Sequence, residues 1–210
     1  MTNMGNDTKN IAVIDYGAGN IGSVVNALVK LGCRPNVTGS VSVILNADAV
    51  FLPGVGAAAD TMKKLSASRI HESVRKLVEL KKPLFAICVG LQVLLDSTEE
   101  GGEHKCLGII PGRVYRLPTG LKIPHMGWNQ VKQVHKHPIF TGIPDNTNFY
   151  FVHSYYARPR DSNVVAGITE YGLEFCSMII KDNLFATQFH PEKSAEPGLR
   201  MYSNFLKFAL

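Results

Sequence analysis

No apolar run in the 210-residue sequence approaches the length of a membrane span, which sets aside a membrane protein. The four cysteines, Cys33, Cys88, Cys106 and Cys176, lie far apart at irregular intervals, and no pair has zinc-site or redox-pair spacing. That excludes a disulfide framework and a metal cluster, so each thiol is judged alone. No block of five or more Lys or Arg occurs, and no basic stretch is interleaved with aromatics. The net charge of +5 therefore reads as solubility, with some bias towards anionic ligands or an acidic partner face, and not as nucleic-acid binding. Residues 1–10 are polar and lack the apolar core of a signal peptide. The expectation is a flexible leader over residues 1–9, one domain over 10–210, and the cytoplasm as the default address. No repeat, linker or low-complexity tract interrupts the chain.

What is present is strand and helix in alternation. Residues 10–15 (NIAVID), 48–52 (DAVFL) and 83–88 (PLFAIC) are short apolar runs closed by turn signals, as buried parallel strands are. Helical character follows at 20–31, stopped by Gly32, then at 57–65, 69–80 and 89–95. The second half changes. IIPGRVYRL, NQVKQV, NFYFVHSYYA, VVAGIT, FCSMII and LFATQF read as strands with turns between them, and one helix closes the chain at 198–208. The pattern predicts an α/β fold with an open mixed sheet. Its N-terminal half is mostly parallel with helices on both faces, and an antiparallel extension follows.

Cys88 stands at the end of the third strand with a helix starting at once, and small residues lie two before and two after it (Ala86, Gly90). Strand, sharp turn, nucleophile, helix is an elbow that exposes a side chain in a strained turn. A helix N-terminus favours a thiolate and offers N–H groups to an oxyanion. A lone strand cysteine is more often a small buried hydrophobe, so the elbow needs support. His190-Pro191-Glu192 supplies it. Residues two apart on an extended segment project to one side, and a carboxylate beside an imidazole fixes its tautomer and stabilises the imidazolium. Without a nucleophile elsewhere, this pair would read as a solvated His and a surface Glu. Here both Cys88 and His190 leave the carboxyl ends of strands, where open α/β sheets place their sites.

Pro53-Gly54-Val55-Gly56 follows another strand; it reads equally as a second source of oxyanion N–H groups and as a plain strand-to-helix turn. Gly17-Ala18-Gly19-Asn20-Ile21-Gly22 matches the dinucleotide fingerprint, but residues 34–42 hold no Asp or Glu for a ribose. It is kept as a backbone device, with dinucleotide binding a weak alternative and no cofactor expected. His135 and His137 read as a surface turn, His71 as solvated, and Cys33, Cys106 and Cys176 as without a role.

IDYGAGN (14–20), FLPGVG (51–56), AICVGLQ (86–92), PHMGWN (124–129), FVHSY (151–155) and QFHPEKS (188–194) together make a resemblance visible from about residue 10 to the C-terminus. The sequence resembles the class I glutamine amidotransferases. Within them, PHMGWN and FVHSY point to the glutaminase subunits of imidazole glycerol phosphate synthases, of histidine biosynthesis. The resemblance implies that Cys88 attacks the glutamine carboxamide, that His190 moves the protons and that Glu192 orients it. It implies an oxyanion hole from the N–H groups of Val89 and, after a peptide flip, Val55. Gly54, Gly56, Gln92, His153, Ser154 and Tyr155 match positions that hold glutamine. Asn20, Trp128, Tyr150 and Lys193 match positions facing a (β/α)8 cyclase partner, to which ammonia passes through a tunnel. No metal is implied. Ala86 and Val89 depart from the family's common Gly and Leu. Three other readings stay open: an amidotransferase feeding a different acceptor, a stand-alone Cys hydrolase, and a catalytically idle regulatory protein. The intact Cys88, His190 and Glu192 argue against the last.

Overall fold

A computed structural model of the chain describes residues 9–17 and 20–209. Apart from Lys9, the expected leader lies outside the described residues, as do Ala18 and Gly19 of the glycine-rich turn. The first half runs β1 (Ile11–Ile14), α1 (Ile21–Lys30), β2 (Asn36–Thr38), α2 (Val41–Asn46), β3 (Ala49–Leu52), α3 (Ala58–Ala67), α4 (Ile70–Glu79), β4 (Leu84–Ile87) and α5 (Val89–Gln92). The second half runs β5 (Ser97–Thr98), β6 (His104–Lys105), β7 (Gly112–Arg116), β8 (His125–Gln133), β9 (Thr147–His153), β10 (Tyr155–Pro159), β11 (Val165–Glu170), β12 (Glu174–Lys181), β13 (Leu184–Thr187) and α6 (Ala195–Ala209).

The main path of the sheet is β2-β1-β3-β4-β13-β12-β10-β7-β5-β6, with β11 also on β12 and the β8–β9 pair attached through β11. From β2 to β13 every pairing is parallel. Beyond β13 the pairings to β12, β10 and β7 are antiparallel. This is the open mixed sheet with an antiparallel extension that the pattern predicts.

The parallel half is central because its strands have no polar face. All four residues of β1, β3, β4 and β13 are buried. Phe51, Phe85 and Phe185 stand in register on three neighbouring strands, with centroids 5.8 and 6.4 Å apart. Tyr202 and Phe205 of α6 meet Phe85 edge-on at 5.2 Å. That aromatic layer anchors α6, and α6 in turn reaches the site.

Several boundaries differ from the sequence reading. β2 and α2 lie in the stretch 34–46, where no element is expected; β2 is short and mostly exposed, so it shows no hydrophobic period. The helix after Cys88 ends at Gln92, not Leu95. β8 begins at His125 and takes in all of the PHMGWN motif except Pro124, and the run NFYFVHSYYA breaks at Ser154 into β9 and β10. α6 starts at Ala195, since Pro197 is tolerated in a first helical turn. Single 3-10 turns occur at Pro138–Phe140, Ser162–Val164 and Pro191–Lys193, so α6 is not the second half's sole helical element. His71 is half-buried and hydrogen-bonded to the Leu65 carbonyl, not solvated. His137 Nδ1 accepts from the Ile139 N–H and caps the first of those turns. Among the described residues, no helix is long and apolar enough to cross a membrane.

Candidate active site

Register places the site. Leu52 pairs with Ala86, and Ile87 with Thr187, so β3, β4 and β13 end side by side. Pro53, Cys88 and Gln188 therefore leave one edge together, where the carboxyl ends of parallel strands open a crevice. The Cys88 N–H still bonds to Thr187 O at 2.7 Å, and then the chain turns sharply, with Cys88 at φ 55° and ψ −107°. A non-glycine residue in that region is strained, and here the strain aims the sulfur into the crevice.

Two glycines make the elbow possible. A Cβ at Gly90 would lie 2.5 Å from Leu52 O, and one at Gly54 would lie 2.6 Å from Gly90 N. The Pro53-Gly54 turn and the first turn of α5 thus pack backbone on backbone. At Ala86 the extra methyl is fully buried and accommodated.

His190 leaves β13 two residues after Gln188, and its N–H bonds to Tyr150 O at 2.9 Å. Ser194 Oγ donates to His190 O and accepts from the Tyr150 N–H, which clamps the turn against β9. The His190 Nδ1–H donates to Glu192 Oε1 at 2.7 Å, and both side chains are buried. Glu192 also accepts from Asn20 Nδ2 at 3.0 Å and from the Tyr202 hydroxyl at 3.3 Å. Burial alone would lower the His190 pKa; the Cys88 sulfur and the Glu192 carboxylate outweigh it and hold the imidazole at about 10. His190 Nε2 is buried without a hydrogen-bond partner among the described residues. Held at about 10, the imidazole keeps its proton at pH 7, and Nε2 beside the Cys88 sulfur is placed to carry that proton to a leaving group.

A cavity of about 340 Å³ opens in front of this pair. Of the residues expected at glutamine, Gly56, Gln92, His153, Ser154 and Tyr155 line it, with Val55, Val89, Cys88 and His190. Gly54 is not a wall residue; it packs behind, against Gly90. Neither ring nitrogen of His153 is available to a ligand. Its Nδ1 meets Tyr155 O at 2.9 Å and its Nε2 meets His125 Nδ1 at 2.8 Å, so His153 shapes the wall. Glu100 also lines the cavity and was not singled out from sequence; its carboxylate accepts from the Ala58 N–H at the start of α3. Of the residues expected at a partner face, Trp128, Tyr150 and Lys193 form one row. Trp128 is exposed and lies edge-on to Tyr150 at 6.1 Å, and Lys193 Nζ sits 5.9 Å over the Tyr150 ring. Asn20 holds Glu192, the residue before Lys193 of that row.

Of the glycine-rich turn, the Gly17 N–H donates to Asp15 Oδ1 and Gly17 O accepts from Lys64 Nζ. Among the described residues, no group of three or more His, Cys, Asp and Glu could hold a metal ion.

The family model for class I glutamine amidotransferases matches residues 12–208. A HisH subunit of imidazole glycerol phosphate synthase from Dehalococcoides mccartyi (strain CBDB1) is 58% identical over 200 residues, spanning 95% of this chain and 98% of that one. The chain belongs to the class I glutamine amidotransferases, in the family of HisH subunits. A HisH subunit from Chloroflexus aurantiacus is 50% identical over 203 residues, 95% of this chain and 96% of that one. Among solved structures, one described as PurLQS from Thermotoga maritima superposes with a TM-score of 0.75 at 17% identity, over 97% of this chain and all of that chain, and so shares the fold.

α6 holds the Glu192 turn at one further point. A Cβ at Gly198 would collide with the Pro191 carbonyl oxygen, and the residue is buried. Gly198→Ala should destabilise the fold by about 3 kcal/mol. For a chain of this length that is a fall in Tm of roughly 6–12 °C. Thermal unfolding followed by circular dichroism checks it, and an unchanged Tm would show that the turn yields freely.

Proposed function

We propose that the chain hydrolyses glutamine at Cys88 and passes the ammonia to a (β/α)8 cyclase partner. That partner would use it to make imidazole glycerol phosphate and an aminoimidazole carboxamide ribotide. The observation that carries this is the buried His190 between two functions. Its Nδ1 is committed to Glu192, and the imidazole faces the strained Cys88 sulfur across the same cavity wall. The relatives named as subunits of imidazole glycerol phosphate synthase supply the acceptor and the partner.

The chemistry follows from these positions. With the proton of the Cys88–His190 pair on His190 Nε2, the Cys88 sulfur attacks the carboxamide carbon. The oxygen takes the negative charge. The first N–H groups of α5 have no carbonyl within the helix to bond, so Val89 can donate to it, joined by Val55 if its peptide turns inward. Gly56 at φ 90° lets that peptide turn at little steric cost. The carbon–nitrogen bond breaks as His190 returns the proton to the leaving nitrogen, which departs as ammonia and leaves a glutamyl thioester. Water, deprotonated by His190, then attacks the thioester and releases glutamate. Glu100 is the anionic wall residue suited to the substrate's ammonium group, with Gln92, Ser154 and Tyr155 around the rest.

Tyr150 ties the chemistry to the proposed partner face. Its carbonyl holds the His190 N–H while its ring meets exposed Trp128. A partner covering Trp128 and Lys193 would receive ammonia close to where it forms. The test is a complementation by ammonia. The partner alone, with saturating ammonium salt at high pH, should turn over its acceptor without this chain, and with glutamine it should need the chain. A partner that needs the chain even under saturating ammonia would contradict the ammonia-supply role. An isolated chain that hydrolyses glutamine at the fully stimulated rate would favour a stand-alone hydrolase.

A further inference from the structure

Gln188 lies wholly buried between β13 and His190, and its side chain touches the nucleophile. Its Nε2 donates to Cys88 Sγ at 3.6 Å, a normal length for a hydrogen bond to sulfur. We propose that Gln188 is a catalytic hydrogen-bond donor to the Cys88 sulfur, aimed by Gln92. The inference rests on the reading of Cys88 as the nucleophile.

The orientation of the Gln188 amide is set by a chain of donors and acceptors that leaves no choice. Gln92 Nε2 has two hydrogens, and it spends one on Tyr155 O at 2.9 Å and the other on Gln188 Oε1 at 3.1 Å. Gln188 Oε1 is thereby the acceptor end, and its NH₂ group must face the sulfur. Tyr155 O is itself fixed from the other side by His153. A carbonyl only accepts, so His153 Nδ1 carries a hydrogen. Burial pushes the His153 and His125 imidazoles down to about 3 and about 4, so both are neutral at pH 7. His153 Nε2 then accepts from the His125 Nδ1–H, and His125 Nε2 accepts from Asn129 Nδ2. The polarity runs consistently from Asn129 on β8 to Tyr155 O, and from Gln92 to the sulfur.

An amide N–H aimed at sulfur acts on two steps. With the pair's proton on His190 Nε2, the electron pair stays on sulfur and the Gln188 N–H faces a charge instead of a neutral atom. When the thioester breaks, the sulfur leaves as a thiolate and meets the same donor. Hydrogen bonds to charged groups are about twice as strong as neutral ones, so the thiolate is favoured at both points.

The test uses the full chain and iodoacetamide, with alkylation of Cys88 followed by peptide mass spectrometry across pH. Gln188→Met keeps the shape and removes the donor. Its Cys88 alkylation rate at pH 7 should fall about tenfold or more, and the midpoint of its rate–pH curve should move up by about one unit. A purely structural role would lower the rate equally at every pH and leave that midpoint in place, and either that result or a curve superimposable on wild type overturns the proposal. A measurement on the wild-type fold stands independently of that variant. The Gln188 side-chain amide proton, seen by nuclear magnetic resonance, should lose its hydrogen-bonded downfield position in Cys88→Ala. An amide signal indifferent to Cys88 overturns the proposal as well. Failure of the nucleophile reading looks different, because a glutamine-analogue electrophile would then spare Cys88 altogether.

Discussion

Cys88→Ala is expected to lose glutamine hydrolysis by roughly 10⁴-fold or more while keeping the fold. Removing the sulfur removes the attacking atom, and no other cysteine lines the cavity. Stability should hold because Ala accepts the same strained backbone as Cys at φ 55°. The packing that sets the elbow comes from Gly54 and Gly90, which the substitution leaves alone. A glutamine-analogue electrophile should label Cys88 in the wild type and no other thiol. Burial pushes Cys106 up to about 11 and Cys176 to about 12, and also raises Cys33, so none of the three offers an appreciable thiolate at neutral pH. Turnover assays and mass spectrometry of the labelled peptides decide the matter. An adduct on Cys33, Cys106 or Cys176, or near-normal turnover by Cys88→Ala, would remove Cys88 from the mechanism.

What the sequence made legible is what depends on neighbours in the chain. β1, β3, β4 and β13 show as continuous apolar runs because both faces of each are buried. Cys88 shows as an elbow, and His190 with Glu192 shows as a pair, because each pattern is local. The supports around them come from far away. Gln188 lies 100 residues from the sulfur it touches, and Asn20 lies 172 residues from the carboxylate it holds. Tyr202 sits on an ordinary amphipathic helix, where its hydroxyl's destination is set by the packing of α6 over Phe51 and Phe85. Gln188 had one available signal, its place within the QFHPEKS motif two residues before His190. The His125–His153 contact had none, since it arises from the pairing of β8 with β9 at those two residues. His153 lines the cavity with both ring nitrogens engaged, at Tyr155 O and at His125.

Glu192→Gln should lower kcat by roughly 10³–10⁴-fold with a much smaller change in KM, the size of effect found when the acidic member of such a triad is replaced. The wild-type carboxylate is wholly buried and accepts from three donors: His190 Nδ1, Asn20 Nδ2 and the Tyr202 hydroxyl. A glutamine amide fits the same space. Its oxygen can serve His190 and Asn20 while its NH₂ group donates to the Tyr202 oxygen, whose hydrogen turns away. Shape is kept and the charge is lost. The His190 imidazolium would then lack its Glu192 anion. The same change has a signature in stability against pH. In the wild type the Cys88 sulfur and, after it, Glu192 outweigh burial and hold His190 at about 10, above the ordinary value of about 6.5, so Glu192's share of that stabilisation is fully present below about 6.5 and is lost as pH rises through about 10. The variant's stability deficit should therefore be largest near pH 6 and should narrow towards pH 10. Denaturant unfolding across that range measures the deficit, and steady-state kinetics measure the loss of kcat. A variant that retains turnover within about threefold of wild type would reduce Glu192 to a packing residue. A deficit that instead grows with pH would mean that the carboxylate does not hold the imidazolium.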